Sequence, residues 1–178
     1  MLKQFLHWLG RTPVQSFILS PLAVAAFELA RQGSAITLVP WGLPLMLWGY
    51  LQYLLVGHYR LRLGGGGPGM AAPPQRIVAR GPYRYTRNPM YLGHLIFMTG
   101  LAVTFWSWFA HVLRVARAAW FQYRVLGDEA RLAAKFGADY TTYRAQVKRW
   151  IPGLFCAVLR SLYKKSLTNA LKSCFSVN

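Results

Sequence analysis

Apolar residues gather in four long runs, separated by segments rich in Arg, Gly and Pro. The runs cover about residues 13–30, 36–57, 89–106 and 108–126. A bilayer core of about 30 Å is crossed by roughly 20 helical residues, and each run is close to that length. The pattern therefore predicts an all-α, polytopic integral membrane protein with four transmembrane helices, forming a single domain over residues 1–178.

The connections between these runs differ in character. Only Ser107 separates the third run from the fourth, which predicts a tight helix hairpin. Residues 58–88 contain Gly64 to Gly67 and several prolines, and they predict a non-helical aqueous loop. In the region 127–178, the part up to residue 149 is helical in pattern, and the tail from residue 153 is typical of a basic amphipathic helix.

The charged residues restrict the class of binding partner and predict the orientation in the membrane. The chain holds 21 Lys plus Arg against 4 Asp plus Glu, for a net charge of +17, while 54% of its residues are hydrophobic. Such a balance predicts an anionic partner, and the long apolar runs favour lipid headgroups over nucleic acid. Lys and Arg concentrate before the first run, in loop 58–88 and after the fourth run. This bias places those segments in the cytoplasm, at the inner membrane or the endoplasmic reticulum.

Two polar clusters flank the predicted hairpin. The first runs from Gly81 to Gly93 and the second from Arg124 to Glu129. Asn88 and Arg124 are each about 18 residues from the turn at Ser107, so both clusters emerge at the same membrane face and predict one joint site. Arg124 and Asp128 are four residues apart and share a helix face. The alternative is that the acidic pair only balances nearby arginines as weak surface ion pairs.

The order of these motifs resembles a known family. Tyr-Thr-Arg-Asn-Pro-Met-Tyr-Leu-Gly (85–93), then a helix hairpin, then Asp-Glu-x-x-Leu (128–132) and a tyrosine-rich segment ending at Pro152 are similar to the isoprenylcysteine carboxyl methyltransferase family. That family also resembles membrane phospholipid N-methyltransferases. The similarity covers roughly residues 75–152. It implies methyl transfer from S-adenosylmethionine to a lipophilic acceptor at the cytoplasmic membrane face, with a prenylcysteine carboxylate as the type acceptor.

The resemblance also implies roles for individual residues. It makes Arg124 the catalytic residue on the acceptor side. The sequence itself contains no cluster with metal-ligand spacing, so no metal is expected. The residues that it implies for cofactor binding are Gln75, Arg76, Ile77, Val78, Tyr83, Arg87, Asn88, Pro89, Met90, Tyr91, Asp128 and Glu129.

Two residues depart from the family pattern. Asn88 replaces the more usual histidine and cannot titrate, and Asp128 replaces the more usual glutamate and is shorter by one methylene. Neither removes the chemistry, because methyl transfer from a sulfonium needs little acid–base help. A carboxylate can hold the ammonium or offset the sulfonium of the cofactor, and the Tyr83 and Tyr91 rings can contact the adenine or the cation.

Other functions remain open from the sequence. The acceptor could be a phospholipid amine, or a small thiol or acid. Sterol-type NADPH-dependent reductases carry a similar Arg-x-Pro-x-Tyr-x-Gly stretch, but an acidic residue commonly follows their glycine, where this chain has His94. A non-enzymatic scaffold that gathers anionic lipid would use the basic loop and tail without a saturable cofactor site.

Overall fold

The computed structural model describes residues 8–33, 36–65 and 74–150. Its four main helices are α1 (Thr12–Gln32), α2 (Leu43–Gly64), α3 (Pro89–Phe105) and α4 (Trp108–Gln146). A π-helical turn at Gln15–Leu19 interrupts α1, and short 3₁₀ turns lie at Pro40–Gly42 and Gly81–Arg84. The described residues form no strand, so the prediction of an all-α fold is confirmed.

Helices α1 and α3 match the predicted runs closely, whereas the second run does not. Residues 36–39 are not helical, and the Val39 backbone N–H donates to the Thr104 carbonyl at 2.7 Å. The helix then continues past residue 57 to Gly64, so the prediction of a non-helical loop beginning at His58 is wrong for those residues. No helix breaker occurs between Gly57 and Gly64, and the helix ends where Gly65 adopts a φ of 64°.

Glycines bring α2 and α3 into close contact. A Cβ built on Gly100 would lie 2.6 Å from the Met46 nitrogen, and one on Gly93 would lie 2.8 Å from the Gly49 carbonyl oxygen. Both atoms belong to the backbone, so no side chain could yield. Small residues let two backbones approach in this way in membrane helix pairs. This packing aligns the end of α2 with the start of α3, which carry Arg60 and Met90.

The predicted hairpin between α3 and α4 is present, with its turn at Ser107. Trp106 has a φ of 45°, and the Ser107 hydroxyl caps α4 by accepting from the Ala110 N–H at 3.4 Å. Phe27 of α1 stacks on Phe109 at this end. Because the hairpin returns directly, the start of α3 and the middle of α4 meet at the other end.

Helix α4 extends well beyond the predicted fourth run. It continues through residues 127–136 to Gly137, whose φ of 54° and ψ of −123° break the helix before its last turns. The helical character predicted for residues 127–149 is thus confirmed as far as Gln146, apart from the break at Gly137, and is wrong for residues 147–149, where the backbone becomes extended at Val147. Tyr140 and Tyr143 are both buried on one face, as their spacing predicts. The chain then reverses, and residues 147–150, here called the clasp, return along the start of α3.

The outer surface of the bundle is strongly apolar. Leu22 of α1, Leu55 of α2 and Val115 of α4 are more than 60% exposed, and many other large hydrophobic side chains are exposed beside them. Soluble proteins rarely expose apolar surface of this extent. Among the described residues, α1 alone combines the length and the hydropathy typical of a membrane span, and α3 is a shorter apolar helix of 17 residues. The tail from residue 153 and loop residues 66–73 lie outside the described residues.

Candidate functional site

A cavity of about 140 Å³ lies where the end of α2, the start of α3 and the second half of α4 meet. We call it the hairpin cavity. Its wall includes both polar clusters predicted to form one site. The strap of residues 74–80 and the 3₁₀ turn at Gly81–Arg84 enclose it from the loop side. The described residues that line it are Arg60, Pro74, Ile77, Val78, Tyr83, Arg87, Asn88, Pro89, Met90, Tyr91, Asp128, Glu129, Arg131, Leu132, Lys135, Tyr140 and Tyr143.

Asp128 and Tyr91 join the two clusters directly. The Tyr91 hydroxyl donates to Asp128 Oδ2 at 2.7 Å, and Arg131 forms an ion pair with the other carboxylate oxygen. Asp128 keeps 19% of its side-chain exposure, so its carboxylate is accessible from the cavity. The predicted proximity of the clusters is therefore confirmed, and an accessible carboxylate stands in the cavity wall.

Glu129 is arranged differently from its neighbour. Its side chain is buried, and Arg149 donates to both of its oxygens, from Nε at 2.9 Å and from Nη2 at 2.8 Å. Arg87 also lies close, with 3.1 Å between its Nη1 and Glu129 Oε1. The Glu129 carboxylate raises the pKa of Arg149 through this hydrogen bonding. Both carboxylates line the cavity, but Glu129 is enclosed in an ion-pair network, whereas Asp128 stays accessible.

The clasp holds the motif loop in place through backbone and side-chain bonds. The Arg87 backbone N–H donates to the Lys148 carbonyl at 2.9 Å. The Thr86 hydroxyl and the Asn88 amide both donate to the Arg149 carbonyl, at 2.8 and 3.3 Å. Asn88, the residue that departs from the family histidine, therefore has a structural partner in the clasp that needs only a neutral donor.

Most of the residues predicted for the cofactor converge on the hairpin cavity. Ten line it, namely Ile77, Val78, Tyr83, Arg87, Asn88, Pro89, Met90, Tyr91, Asp128 and Glu129. The other two, Gln75 and Arg76, line a separate shallow depression on the outer side of the strap, beside Asp139. Arg124 lies outside the cavity lining, one turn before Asp128, and interacts with the Tyr91 side chain.

Several cavity residues were missed from the sequence. Arg131, Leu132 and Lys135 follow Asp128 at helical spacing, so periodicity alone could have placed them on its face. Arg60 lies in the part of α2 that the glycine and proline pattern predicts as a loop. The pairing of Arg149 with Glu129 had no local signal, because it depends on the chain reversal after α4.

Burial controls the ionisation of the cavity tyrosines outside the helical spans. Desolvation raises the pKa of Tyr83 to about 12, and it also raises the pKa values of Tyr140 and Tyr143. The Tyr143 hydroxyl donates to the Tyr83 carbonyl at 2.8 Å. At neutral pH these phenols are therefore uncharged hydrogen-bond donors.

This shift predicts a loss of stability at alkaline pH. The pKa of Tyr83 is about 12 in the folded protein against an ordinary value of 10.0, so the unfolded chain loses this proton first as the pH rises. The free energy of unfolding should therefore fall between pH 10 and pH 12. Thermal melts of the detergent-solubilised protein should show a shallower fall for Tyr83→Phe than for Tyr85→Phe, which alters an exposed tyrosine. Equal slopes in both variants would contradict the prediction.

Comparison with known proteins agrees with the sequence motifs. Residues 66–138, which include both polar clusters, match the phospholipid methyltransferase family. A stretch of 78 residues is 33% identical to the protein-S-isoprenylcysteine O-methyltransferase of Schizosaccharomyces pombe. It covers 43% of this chain, and the chain spans about a third of that relative's length. The resemblance to isoprenylcysteine carboxyl methyltransferases is thereby confirmed.

Proposed function

We propose that this chain, as its resemblance to isoprenylcysteine carboxyl methyltransferases suggests, transfers a methyl group from S-adenosylmethionine to a lipophilic acceptor at the cytoplasmic face of a membrane. The observation that carries the proposal is the hairpin cavity. It combines the accessible Asp128 carboxylate, the buried Arg87 cation and a set of tyrosine rings. Most of its lining belongs to the segment that matches methyltransferases.

The residues of the cavity fit the chemical groups of the cofactor. When bound, S-adenosylmethionine supplies an electrophilic methyl group on a sulfonium. Asp128 would hold the ammonium or offset the sulfonium charge, and Arg87 would hold the carboxylate. Two donor groups of Arg87, Nε and Nη1, are buried and form no hydrogen bond, although Nη1 lies 3.1 Å from Glu129 Oε1, and donors left in this state favour an anionic ligand. Tyr83 and Tyr91 offer ring faces.

The chain's own contribution to catalysis would be positioning and exclusion of water. The hydrogen bond from Tyr91 fixes the Asp128 carboxylate, and the clasp fixes Arg87 and Asn88. Groups held in this way reduce the entropy lost on reaching the reactive arrangement. The enclosing strap limits solvent in the cavity and strengthens its electrostatic contacts. A carboxylate acceptor would need no base, whereas an amine acceptor would have to lose a proton.

We place Arg124 on the acceptor side. It lies just outside the cavity lining and interacts with the Tyr91 side chain, close to the Asp128 carboxylate. A guanidinium there can orient an anionic acceptor by paired hydrogen bonds. A prenylcysteine carboxylate is the acceptor that we favour, because the matched relative acts on isoprenylcysteine by its name. A phospholipid amine is the second candidate, favoured by the family that matches residues 66–138.

We also propose that the apolar parts of all four helices lie in the bilayer, α4 only up to about residue 126, with the cavity on the cytoplasmic side. The support is the apolar outer surface of α1, α2 and α4, which would face lipid. Arginines at the cytoplasmic ends of the helices and in the loop would contact anionic headgroups. The acceptor would then reach the cavity from the bilayer and the cofactor from the cytosol.

Cysteine labelling would check this orientation. A variant with serine at both natural cysteines and cysteine in place of Arg80 should react with a membrane-impermeant maleimide only after the cytoplasmic side is opened. Trp106→Cys, at the hairpin turn, should show the opposite pattern. Labelling of the Arg80→Cys variant from outside intact cells or spheroplasts would overturn the orientation.

The activity itself is tested by calorimetric titration of the detergent-purified protein with S-adenosylhomocysteine and, separately, with NADPH. Saturable binding of S-adenosylhomocysteine alone is the expected result. Binding of NADPH alone would move the assignment to the reductase class. Binding of neither would favour the lipid-gathering scaffold.

A further inference from the structure

In the buried ion-pair network beside the hairpin cavity, Arg149 and Arg87 contact the Glu129 carboxylate unequally. Glu129 accepts from Arg149 at both oxygens, with one donor aligned to each. Arg87 stands within ion-pair distance of the same carboxylate, yet its Nε and Nη1 groups form no hydrogen bond. Arg149 thus holds the better geometry on the carboxylate that the two arginines share.

Arg87 is the member of the network that faces the cavity. Its side chain retains only 9% of its exposure, and it lines the cavity together with Tyr140, whose hydroxyl it contacts. A buried guanidinium without its full set of hydrogen bonds is costly. An anion that entered the cavity would therefore gain both charge compensation and hydrogen-bond donors that are already desolvated.

The charges around the cavity favour the same class of ligand. Four cationic residues line it, Arg60, Arg87, Arg131 and Lys135, against the two carboxylates Asp128 and Glu129. Arg149 behind Glu129 adds a further positive charge to the network. A small carboxylate is the anion whose planar geometry matches a guanidinium.

We propose that Arg149 is a positioning residue that keeps an anion subsite open at Arg87 by occupying both oxygens of Glu129, so that Arg87 pairs with this carboxylate by charge but forms no hydrogen bond to it. The ligand of this subsite is a carboxylate, and the inference rests on the proposed function for the source of that carboxylate, the amino-acid end of the cofactor. Without Arg149, the buried Glu129 carboxylate would lack its main partner. It would then accept hydrogen bonds from Arg87, whose Nη1 already lies 3.1 Å from Glu129 Oε1, and close the subsite.

The position of the clasp does not depend on the Arg149 side chain. The backbone of residues 147–150 is fixed independently of the Arg149 side chain, by bonds from Thr86, Asn88 and the Arg87 N–H to clasp carbonyls. Trp150 is held as well, through its bond to Gln122 at 2.7 Å. Loss of the Arg149 guanidinium alone should therefore leave the clasp in place and change mainly the partner of Glu129.

The test compares two ligands on three proteins, by calorimetry on the detergent-purified full chain. The ligands are S-adenosylhomocysteine and 5′-methylthioadenosine, which lacks the amino-acid end. The proteins are the wild type, Arg149→Gln, and the double variant Glu129→Gln with Arg149→Gln. Arg149→Gln should weaken S-adenosylhomocysteine by about tenfold or more, as expected for loss of charge-assisted hydrogen bonds, and leave 5′-methylthioadenosine nearly unchanged.

The double variant distinguishes competition between Glu129 and the ligand carboxylate for Arg87 from general damage to the cavity. With no carboxylate at residue 129 to take up Arg87, it should recover most of the affinity for S-adenosylhomocysteine. A merely structural role for Arg149 would allow no such recovery. Arg149→Lys, which keeps the charge but not the paired geometry, should lie between the wild type and Arg149→Gln.

Each other result overturns the inference. Unchanged affinity in Arg149→Gln would show that Glu129 does not compete for Arg87, and equal losses in the single and double variants would show that Arg149 acts in another way. Parallel loss of both ligands would indicate general damage to the cavity. If the wild type binds neither ligand, both the proposed function and this inference are refuted. If the wild type binds S-adenosylhomocysteine and the Arg149 variants bind it equally well, only this inference is refuted.

Discussion

Replacement of Asp128 by asparagine is expected to weaken S-adenosylhomocysteine binding by about tenfold to a hundredfold, since hydrogen bonds to a charged group contribute about 1.5–3 kcal/mol. Asp128 is the accessible carboxylate of the hairpin cavity, while Glu129 is committed to two arginines. Asparagine keeps the size and can still accept from the Tyr91 hydroxyl. The variant therefore removes the charge with little change of shape, and calorimetric titration measures the loss.

Arg124→Ala serves as the comparison for this variant. Arg124 is one turn away and outside the cavity lining, so its loss should leave the affinity for S-adenosylhomocysteine within about twofold, a change that corresponds to only a few tenths of a kcal/mol. It should instead lower turnover with the acceptor. Equal affinities in Asp128→Asn, Arg124→Ala and the wild type would refute this division of roles.

The second large effect concerns folding. Gly100→Leu should prevent recovery of folded protein, because even the first carbon of the new side chain would lie 2.6 Å from the Met46 nitrogen and 2.7 Å from the Gly42 carbonyl oxygen. Overpacking of a core costs about 1–3 kcal/mol where side chains can adjust. Here the obstacle is backbone on the facing helix, so α2 and α3 would have to separate. Yield of monodisperse protein and the midpoint of thermal unfolding measure the effect.

Gly127→Ala provides the matched control. Gly127 is also a helical glycine, but a Cβ built on it meets nothing within 4 Å. Alanine there should be neutral or stabilise the protein by up to about 1 kcal/mol, because it favours the helical backbone more than glycine does. Similar melting temperatures for Gly100→Leu and the wild type would show that α2 and α3 do not depend on this close contact.

The sequence predicted the location of the site more accurately than the ends of the helices around it. Position relative to the turn at Ser107 was enough to predict that the two polar clusters meet, because two helices joined by a tight turn bring segments at similar distances from the turn to the same end. The end of α2 was not predictable in this way. Glycines at 64–67 and the prolines that follow suggested a loop, but a helix continues until a residue must leave the helical region, which happens only at Gly65.

Local pattern by itself determined the helical class, the hairpin, the two motif clusters and the shared face of Tyr140 and Tyr143. These depend on periodicity and on distance along the chain, both of which are properties of neighbouring residues. Only the tertiary structure decided which of two adjacent carboxylates remains accessible in the cavity wall. Asp128 and Glu129 point in different directions around α4, and the partner that buries Glu129 comes from Arg149, 20 residues further along the chain. A contact that depends on a chain reversal produces no periodic pattern in the sequence. The different roles of Asp128 and Glu129 could therefore be assigned only from the tertiary structure.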